Sequence, residues 1–402
     1  MNVDMKNLIL IVASLFFFAC SSDKESEKKD QVEVKLFETD WFRYGLPQGG
    51  SDPDLLKNVM DNMESRLIQL ETNDSLLFNG KASYLYVTSD YLFVADLKQK
   101  IILRYDKQGK FINKINRKGQ GPEEYITLAN IYFNDNAIYV CDLTKILVYD
   151  FNGEYLKTII PPKDEIGQFY IDPSGLIVQS RYYLGDSQLI VYDEDGKLIK
   201  EYFPTPEVIR DFWIVQGCYR SIGNYNGGTF VSNYFDTNIY MLEGDSIQTF
   251  ATFDFGSMNL PKDFFEGETK ELVPKFNDFR ENDKAVLNID NITITDNWIV
   301  FCPPLFEPKE VIYCNRKNGK YLINNDFNNF YAQVLGKYDA PDGYDSRSGE
   351  FYRLVNAALL KEAIEELQQS DGHYLEKYPF LKGIDPEKID EESNDWVIFF
   401  KM

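Results

Sequence analysis

Between residues 89 and 160, apolar and polar positions follow the same order twice. An apolar run closes on Asp (LFVAD to Asp96, IYVCD to Asp142), and a second closes on Tyr-Asp (IILRYD to Asp106, ILVYD to Asp150). A short turn then ends on Gly109 or Gly153, and a third run alternates (KFINKI, EYLKTI). Short runs rich in β-branched and aromatic residues, bounded by Asp and Gly, predict strands joined by tight turns. Asp106 and Asp150 lie 44 positions apart, and Asp150 and Asp193 lie 43 apart. A repeat of this length made only of short strands marks the blade of a β-propeller.

The period extends along the chain. After the blades at 83–116 and 125–160, a third is predicted from Gln168 to Phe203, a fourth from Phe212 to Phe255 and a fifth from Ile289 to Asn325. Residues 256–288 are charged, partly helical in pattern and break the period, so they read as an insertion. Near the start, VEVKLF reads as a strand, and Asp52-Pro53 followed by DLLKNVMDNM as a capped short helix. In the tail, FYAQVLGKY reads as a strand, and apolar residues at helical spacing predict an amphipathic helix over 350–369. The last residues, WVIFFKM, are a strong strand. A ring of blades has to close, and pairing SRLIQLE (65–71) with this tail would complete a sixth blade and remove the open edges. The predicted fold is all-β: a six-bladed β-propeller over 32–402, with a helical insertion in the last blade at about 340–394.

The first 20 residues do not belong to that ring. Lys6 precedes eleven apolar residues, Leu8 to Phe18, the length of a signal-peptide core and too short to span a bilayer. Ala19-Cys20 follows at once and resembles a bacterial lipobox, in which the Cys is lipidated and becomes the mature N-terminus. Residues 21–31, SSDKESEKKDQ, read as a flexible tether. The expectation is an outer-membrane lipoprotein, periplasmic or surface-exposed, held through lipid on Cys20.

Charge narrows the partners. A net charge of −22 repels nucleic acid and anionic headgroups. Aromatics make up 15% of the chain, enough to furnish both core and a binding surface. The single histidine, His373, excludes zinc sites built on His and leaves one candidate for any Ser–His–Asp triad, with no nucleophile-elbow motif. Asp193-x-Asp195-Gly196 lacks the remaining ligands of a calcium loop and occupies the slot of the repeated hairpin turn. No metal and no cofactor are expected. Cys141, Cys302 and Cys314 sit in apolar runs, as buried free thiols do, and Cys302 and Cys314 would fall three rungs apart in their hairpin.

The run from Leu67, LIQLETNDSLLFNGKASYLYVTSDYLFVADLKQKIILRYDKQGKFINKINRKGQGPEEY, resembles the six-bladed β-propeller lipoproteins of Gram-negative, Bacteroides-type bacteria, with NHL-like propellers. Those proteins carry a "PLETT-D-SL" opening, a blade ending in "GKF" and a "G-x-G-P-G-E-[FY]" turn. Here the turn is Gly119 to Tyr125, with Glu123 where Gly is common. The closing Asp395-Trp396-Val397-Ile398-Phe399-Phe400 resembles the family's final strand, with Trp396 where Pro is usual. The resemblance implies the fold and an envelope location and brings no catalytic residues. In GQGPEEY the two glycines are expected to permit positive φ at the crossing between blades rather than to cradle a phosphate, because no Gly-Lys-Ser/Thr opens a helix there.

The functional expectation is a monomeric, non-catalytic binding lipoprotein that recognises a protein, peptide or glycan. The alternative is a carbohydrate-active hydrolase or lyase. Antiparallel order places the second-to-third-strand loops and the inter-blade crossings on one face, where the repeat loses its regularity. Arg117, Arg181, Tyr182, Tyr183, Arg210, Trp213, Tyr234 and Phe235 fall there and are the candidate ligand-binding residues.

Overall fold

The computed structural model describes residues 50–402 except 81–82, 143, 163–165, 182–185, 206, 208–221, 234, 245, 283–284, 304–309 and 337–339, together with the backbone of three short strands before residue 50. These are β1 (Val32–Val34), β2 (Phe42–Arg43) and β3 (Leu46–Pro47), followed by α1 (Pro53–Asn62) and β4 (Glu64–Gln69). Six four-stranded antiparallel blades then make a β-propeller. Blade one is β5 (Ser83–Val87), β6 (Tyr91–Asp96), β7 (Ile101–Asp106) and β8 (Phe111–Ile115). Blade two is β9 (Asn130–Phe133), β10 (Ile138–Cys141), β11 (Ile146–Tyr149) and β12 (Tyr155–Ile159). Blade three is β13 (Ile166–Ile171), β14 (Ile177–Arg181), β15 (Ser187–Tyr192) and β16 (Leu198–Pro204). Blade four is β17 (Ile222–Tyr225), β18 (Gly228–Ser232), β19 (Asn238–Glu243) and β20 (Ser246–Phe253), with β1 added in parallel outside β20. Helix α2 (Thr269–Glu281) precedes blade five, which is β21 (Asp290–Ile294), β22 (Trp298–Cys302), β23 (Ile312–Asn315) and β24 (Tyr321–Ile323). Helix α3 (Asn329–Val334) leads to blade six.

Blade six closes the ring. Its order is β25 (Gly343–Asp345), β26 (Glu350–Val355), β27 (Trp396–Lys401) and, outermost, β4 from the start of the chain. Ile398 faces Leu67 and Phe400 faces Ser65, the pairing expected from SRLIQLE and WVIFFKM. Helices α4 (Ala357–Ser370) and α5 (Tyr374–Lys377) lie between β26 and β27.

The middle strands of each blade read as unbroken apolar runs because both of their faces are buried between blades. In blade one, Leu92, Val94, Leu103 and Tyr105 pack against Leu354, Val397 and Phe399 of blade six. Phe93, Ala95 and Ile102, which alternate with them, pack against Ile138, Val140 and Leu147 of blade two. The outer strands alternate instead, as in the exposed and buried positions of Phe111–Ile115. Cys141, Cys302 and Cys314 are buried free thiols, and Ile299 rather than Cys302 faces Cys314.

Two expectations about the tail are corrected. FYAQVLGKY contains a helix, α3, not a strand: Asn328 caps it by accepting from the Tyr331 amide at 3.1 Å. The periodicity over 350–369 merges a strand and a helix. Phe351, Leu354 and Val355 belong to β26, and the helix starts only after Asn356, whose side chain accepts from the Ala358 and Leu359 amides.

The repeated Asp and Gly positions are structural. Asp193 Oδ1 accepts from the Asp195 and Lys197 amides at 3.1 and 2.9 Å, so the carboxylate builds the turn. Asp96, ending β6, and Asp142, just past β10, accept from Asn79 and from Ile126 and Thr127, tying each incoming crossing to its blade. Gly196 combines φ +79° with a site for Cβ only 2.0 Å from the Ile160 carbonyl oxygen, where the outer strand of blade two ends. Gly175, at φ +88°, has nothing within 4 Å of that position. Gly175→Ala is therefore expected to cost about 1 kcal/mol, and Gly196→Ala clearly more, because it forces two blades apart as well. Chemical denaturation of the two variants measures the difference.

Gly119 and Gly121 correct a third expectation. Neither is among the positive-φ residues. Gly119 is required by close approach: a Cβ there would lie 1.8 Å from Glu124 Oε2, the same oxygen that accepts from the Gly121 amide at 2.8 Å. The loop folds over the fully buried Tyr125, whose hydroxyl donates to the Lys100 carbonyl.

Candidate functional site: a tyrosine-lined cleft on the hairpin face

First-to-second-strand hairpins and the tight Gly turns emerge on one face of the ring; second-to-third loops and crossings emerge on the other. A cleft of about 400 Å³ opens on the hairpin face between blades two and three, within the size range of small-ligand sites.

Its walls come from residues at the hairpin ends of first strands. Tyr132 in β9 and Tyr170 in β13 meet edge to face with ring centroids 5.0 Å apart. Tyr139, at the start of β10, lies 5.8 Å from Tyr132. The Tyr132 hydroxyl donates to the Ile171 carbonyl at 3.2 Å. Burial raises the pKa of the Tyr132 and Tyr170 phenols, so both stay protonated. Asn134 folds its hairpin by accepting from the Asn136 and Ala137 amides, and its Nδ2 donates to the Tyr139 hydroxyl at 3.3 Å. Asn224, from the first strand of blade four, completes the rim.

The charges here are internally committed. Lys157 of β12 pairs with Glu194 in the Gly turn of blade three. Asp172 Oδ1 accepts from the Ser174 and Leu176 amides at 2.9 and 2.8 Å and holds its own hairpin. Elsewhere, burial pushes Asp395 up to about 6 and Glu310 up to about 7, and each is bonded to an asparagine, Asn356 and Asn325. Among the described residues, no three His, Cys, Asp or Glu side chains are grouped to hold a metal ion. His373 is exposed beside Glu376.

The candidates drawn from the loops fare differently. Arg117 donates from Nε to the Gly153 carbonyl at 2.7 Å and pairs with Glu154 at 3.2 Å, locking blade one to the turn of blade two. Phe235 packs with Phe264, Phe265 and Phe276 under α2 and lines a second cleft of about 280 Å³ on the crossing face. Arg181 ends β14, with its side chain outside the described residues. Tyr182, Tyr183, Arg210, Trp213, Tyr234 and Cys20 also fall outside them. Tyr132, Tyr139 and Tyr170 were not singled out from the sequence. The available signal was the pairing of a first-strand Tyr with an Asn or Asp hairpin in blades two and three (IYFND, FYIDPSG).

Fold and cleft together define a six-bladed β-propeller with a solvent-open cleft on its hairpin face. The chain belongs to the family described as a domain of unknown function, DUF4934, which matches residues 56–401. No curated protein matches it. Among solved structures it is similar to a protein of Bacteroides fragilis NCTC 9343 described as exported, with 17% identity, a TM-score of 0.66, and coverage of 92% of this chain and 99% of that one. A member of the duf4221 family from Bacteroides vulgatus aligns at 11% identity and a TM-score of 0.48, covering 85% of this chain and 99% of that one.

Proposed function

We propose that this protein is a non-catalytic binding propeller of the bacterial envelope, anchored through lipid on Cys20, that takes its ligand in the Tyr132–Tyr139–Tyr170 cleft. The observation that carries the binding role is the cleft itself: aromatic side chains and amides held on rigid strand ends, beside carboxylates already spent on a turn and an ion pair. A glycoside hydrolase needs a pair of carboxylates flanking the scissile bond, and here Glu194 is paired with Lys157 while Asp172 Oδ1 builds a turn. The leader with Ala19-Cys20 supports the envelope location, as does the description of the Bacteroides fragilis relative as exported. No described helix is long and apolar enough to cross a membrane, which agrees with attachment by lipid.

Two measurements test the reading. Cys20→Ala is expected to move the protein from the membrane to the soluble fraction or to leave an unprocessed precursor; unchanged partitioning and mass would remove the anchor. A thermal-shift screen of peptides and oligosaccharides should give hits that are lost in a folded Tyr139→Ala/Tyr170→Ala double variant. Hits that persist in that variant would place the site elsewhere, and turnover of a hit into products would make the protein an enzyme.

A further inference from the structure

We infer that the ligand of the hairpin-face cleft is a neutral oligosaccharide, an inference that rests on the cleft being the binding site. The chemistry of the lining favours this class. A charged ligand needs an opposite charge to meet it: Lys157, the cation of the lining, faces Glu194, and Asp172 Oδ1 is held by the donors of its own turn. An anionic chain also meets a protein of net charge −22. A basic peptide would have to displace Lys157 from Glu194 and would meet at Asp172 a carboxylate whose Oδ1 is already held by its turn.

The groups with hydrogen-bonding positions to spare are amides and phenols. The Tyr139 hydroxyl accepts from Asn134, which leaves further positions on its oxygen, and the Tyr170 hydroxyl lines the same cleft. Asn224 donates one amide hydrogen to the Gly228 carbonyl at 3.0 Å and keeps its oxygen as an acceptor. Groups that donate and accept at close range match sugar hydroxyls, which do both. The half-buried rings of Tyr132, Tyr139 and Tyr170 supply apolar faces for the C–H face of a pyranose. Their edge-to-face and tilted packing sets those faces at different angles, so the cleft is a corner rather than a flat platform. A corner suits the end or a bend of a chain better than an extended strand lying across it. The rim also carries Pro173 and Gly175, in a hairpin where a Cβ added at the Gly would meet nothing within 4 Å.

The experiment is an array of neutral and uronic-acid oligosaccharides on the full-length protein without its leader, followed by calorimetric titration of the best neutral binder, a uronic-acid oligomer and an oligolysine peptide. A neutral oligosaccharide is expected to bind, with the uronic-acid oligomer at least tenfold weaker. Tyr139→Ala and Tyr170→Ala are each expected to weaken the neutral binder tenfold or more. Tyr170→Phe, which keeps the ring and the fold, should weaken it by a smaller factor. Binding of oligolysine, or of no neutral saccharide at all, overturns the inference; if the peptide's binding depends on Tyr139 and Tyr170, the cleft still stands as the site. A neutral saccharide bound with unchanged affinity in both alanine variants removes the cleft and the inference together.

Discussion

Deletion of residues 396–402 is expected to abolish cooperative unfolding and to leave an aggregating chain. The lost segment is β27, the third strand of the closing blade, paired on one side with β26 and on the other with β4. Trp396, Val397, Ile398, Phe399 and Phe400 are all buried. Val397 and Phe399 pack toward blade one, while Ile398 and Phe400 pack toward the helices and blade five. At roughly 2 kcal/mol for each large apolar side chain, their burial is worth about 10 kcal/mol, comparable to the whole stability of an ordinary domain. The deletion also unpairs β4 and opens two sheet edges. Calorimetry and light scattering on the truncated chain check this; a cooperative transition at the parental temperature would mean that the ring closes without the strand.

Glu310→Gln is expected to stabilise the protein at pH 8 and to leave it unchanged at pH 4.5. Glu310 is 4% exposed two residues before the strand β23, with Asn325 Nδ2 donating to its Oε1 at 3.1 Å. Its Oε2 has no partner, and neither has the buried Oδ1 of Asn325. Burial raises the carboxyl to about 7, opposed in part by the Asn325 hydrogen bond and assisted by the Asp326 charge. Protonated, Glu310 carries a donor beside Asn325; ionised, it leaves a buried charge whose Oε2 has no donor to meet it. A carboxyl whose folded pKa is raised contributes stability that is fully present below its unfolded value near 4.5 and is lost as pH rises through about 7. The loss is on the order of 2–3 kcal/mol. Glutamine replaces the O–H donor with an N–H donor at every pH, so the gap between variant and parent should open between pH 4.5 and 7 and then stay constant. Asp395, raised by burial to about 6, adds to the decline of the parent in the lower part of that window. Urea unfolding of the pair from pH 4.5 to 8 is the measurement; parallel curves would show that Glu310 is ionised throughout.

Much of the fold was legible because propeller blades are local. Each hairpin is specified within about a dozen residues by Asp-x-x-Gly and by runs apolar enough to be buried on both faces. Ring closure was legible for a related reason: WVIFFKM is too apolar to stay exposed, and SRLIQLE is a strand with no neighbour of its own. The tail was misread where two periods overlap. Phe351, Leu354 and Val355 fit helical spacing with Leu359 and Ala363, and only the cap at Asn356 separates strand from helix.

The cleft needed the tertiary structure. Tyr132, Tyr139 and Tyr170 look like any strand tyrosine in the chain, and nothing local says that β9 and β13 meet with those rungs level. The loop irregularity that drew attention to the crossing face is real in the sequence. There, however, Arg117 is consumed in joining blades and Phe235 in packing under α2, because a polar or aromatic side chain at a seam is first claimed by the neighbouring blade. The sequence by itself determined the repeat, the strands of the regular blades and the closing pair, all set by side-chain period and turn chemistry. Only the tertiary structure decided which side chains remain uncommitted, because that depends on the stagger between blades and on the partners it brings within hydrogen-bonding reach.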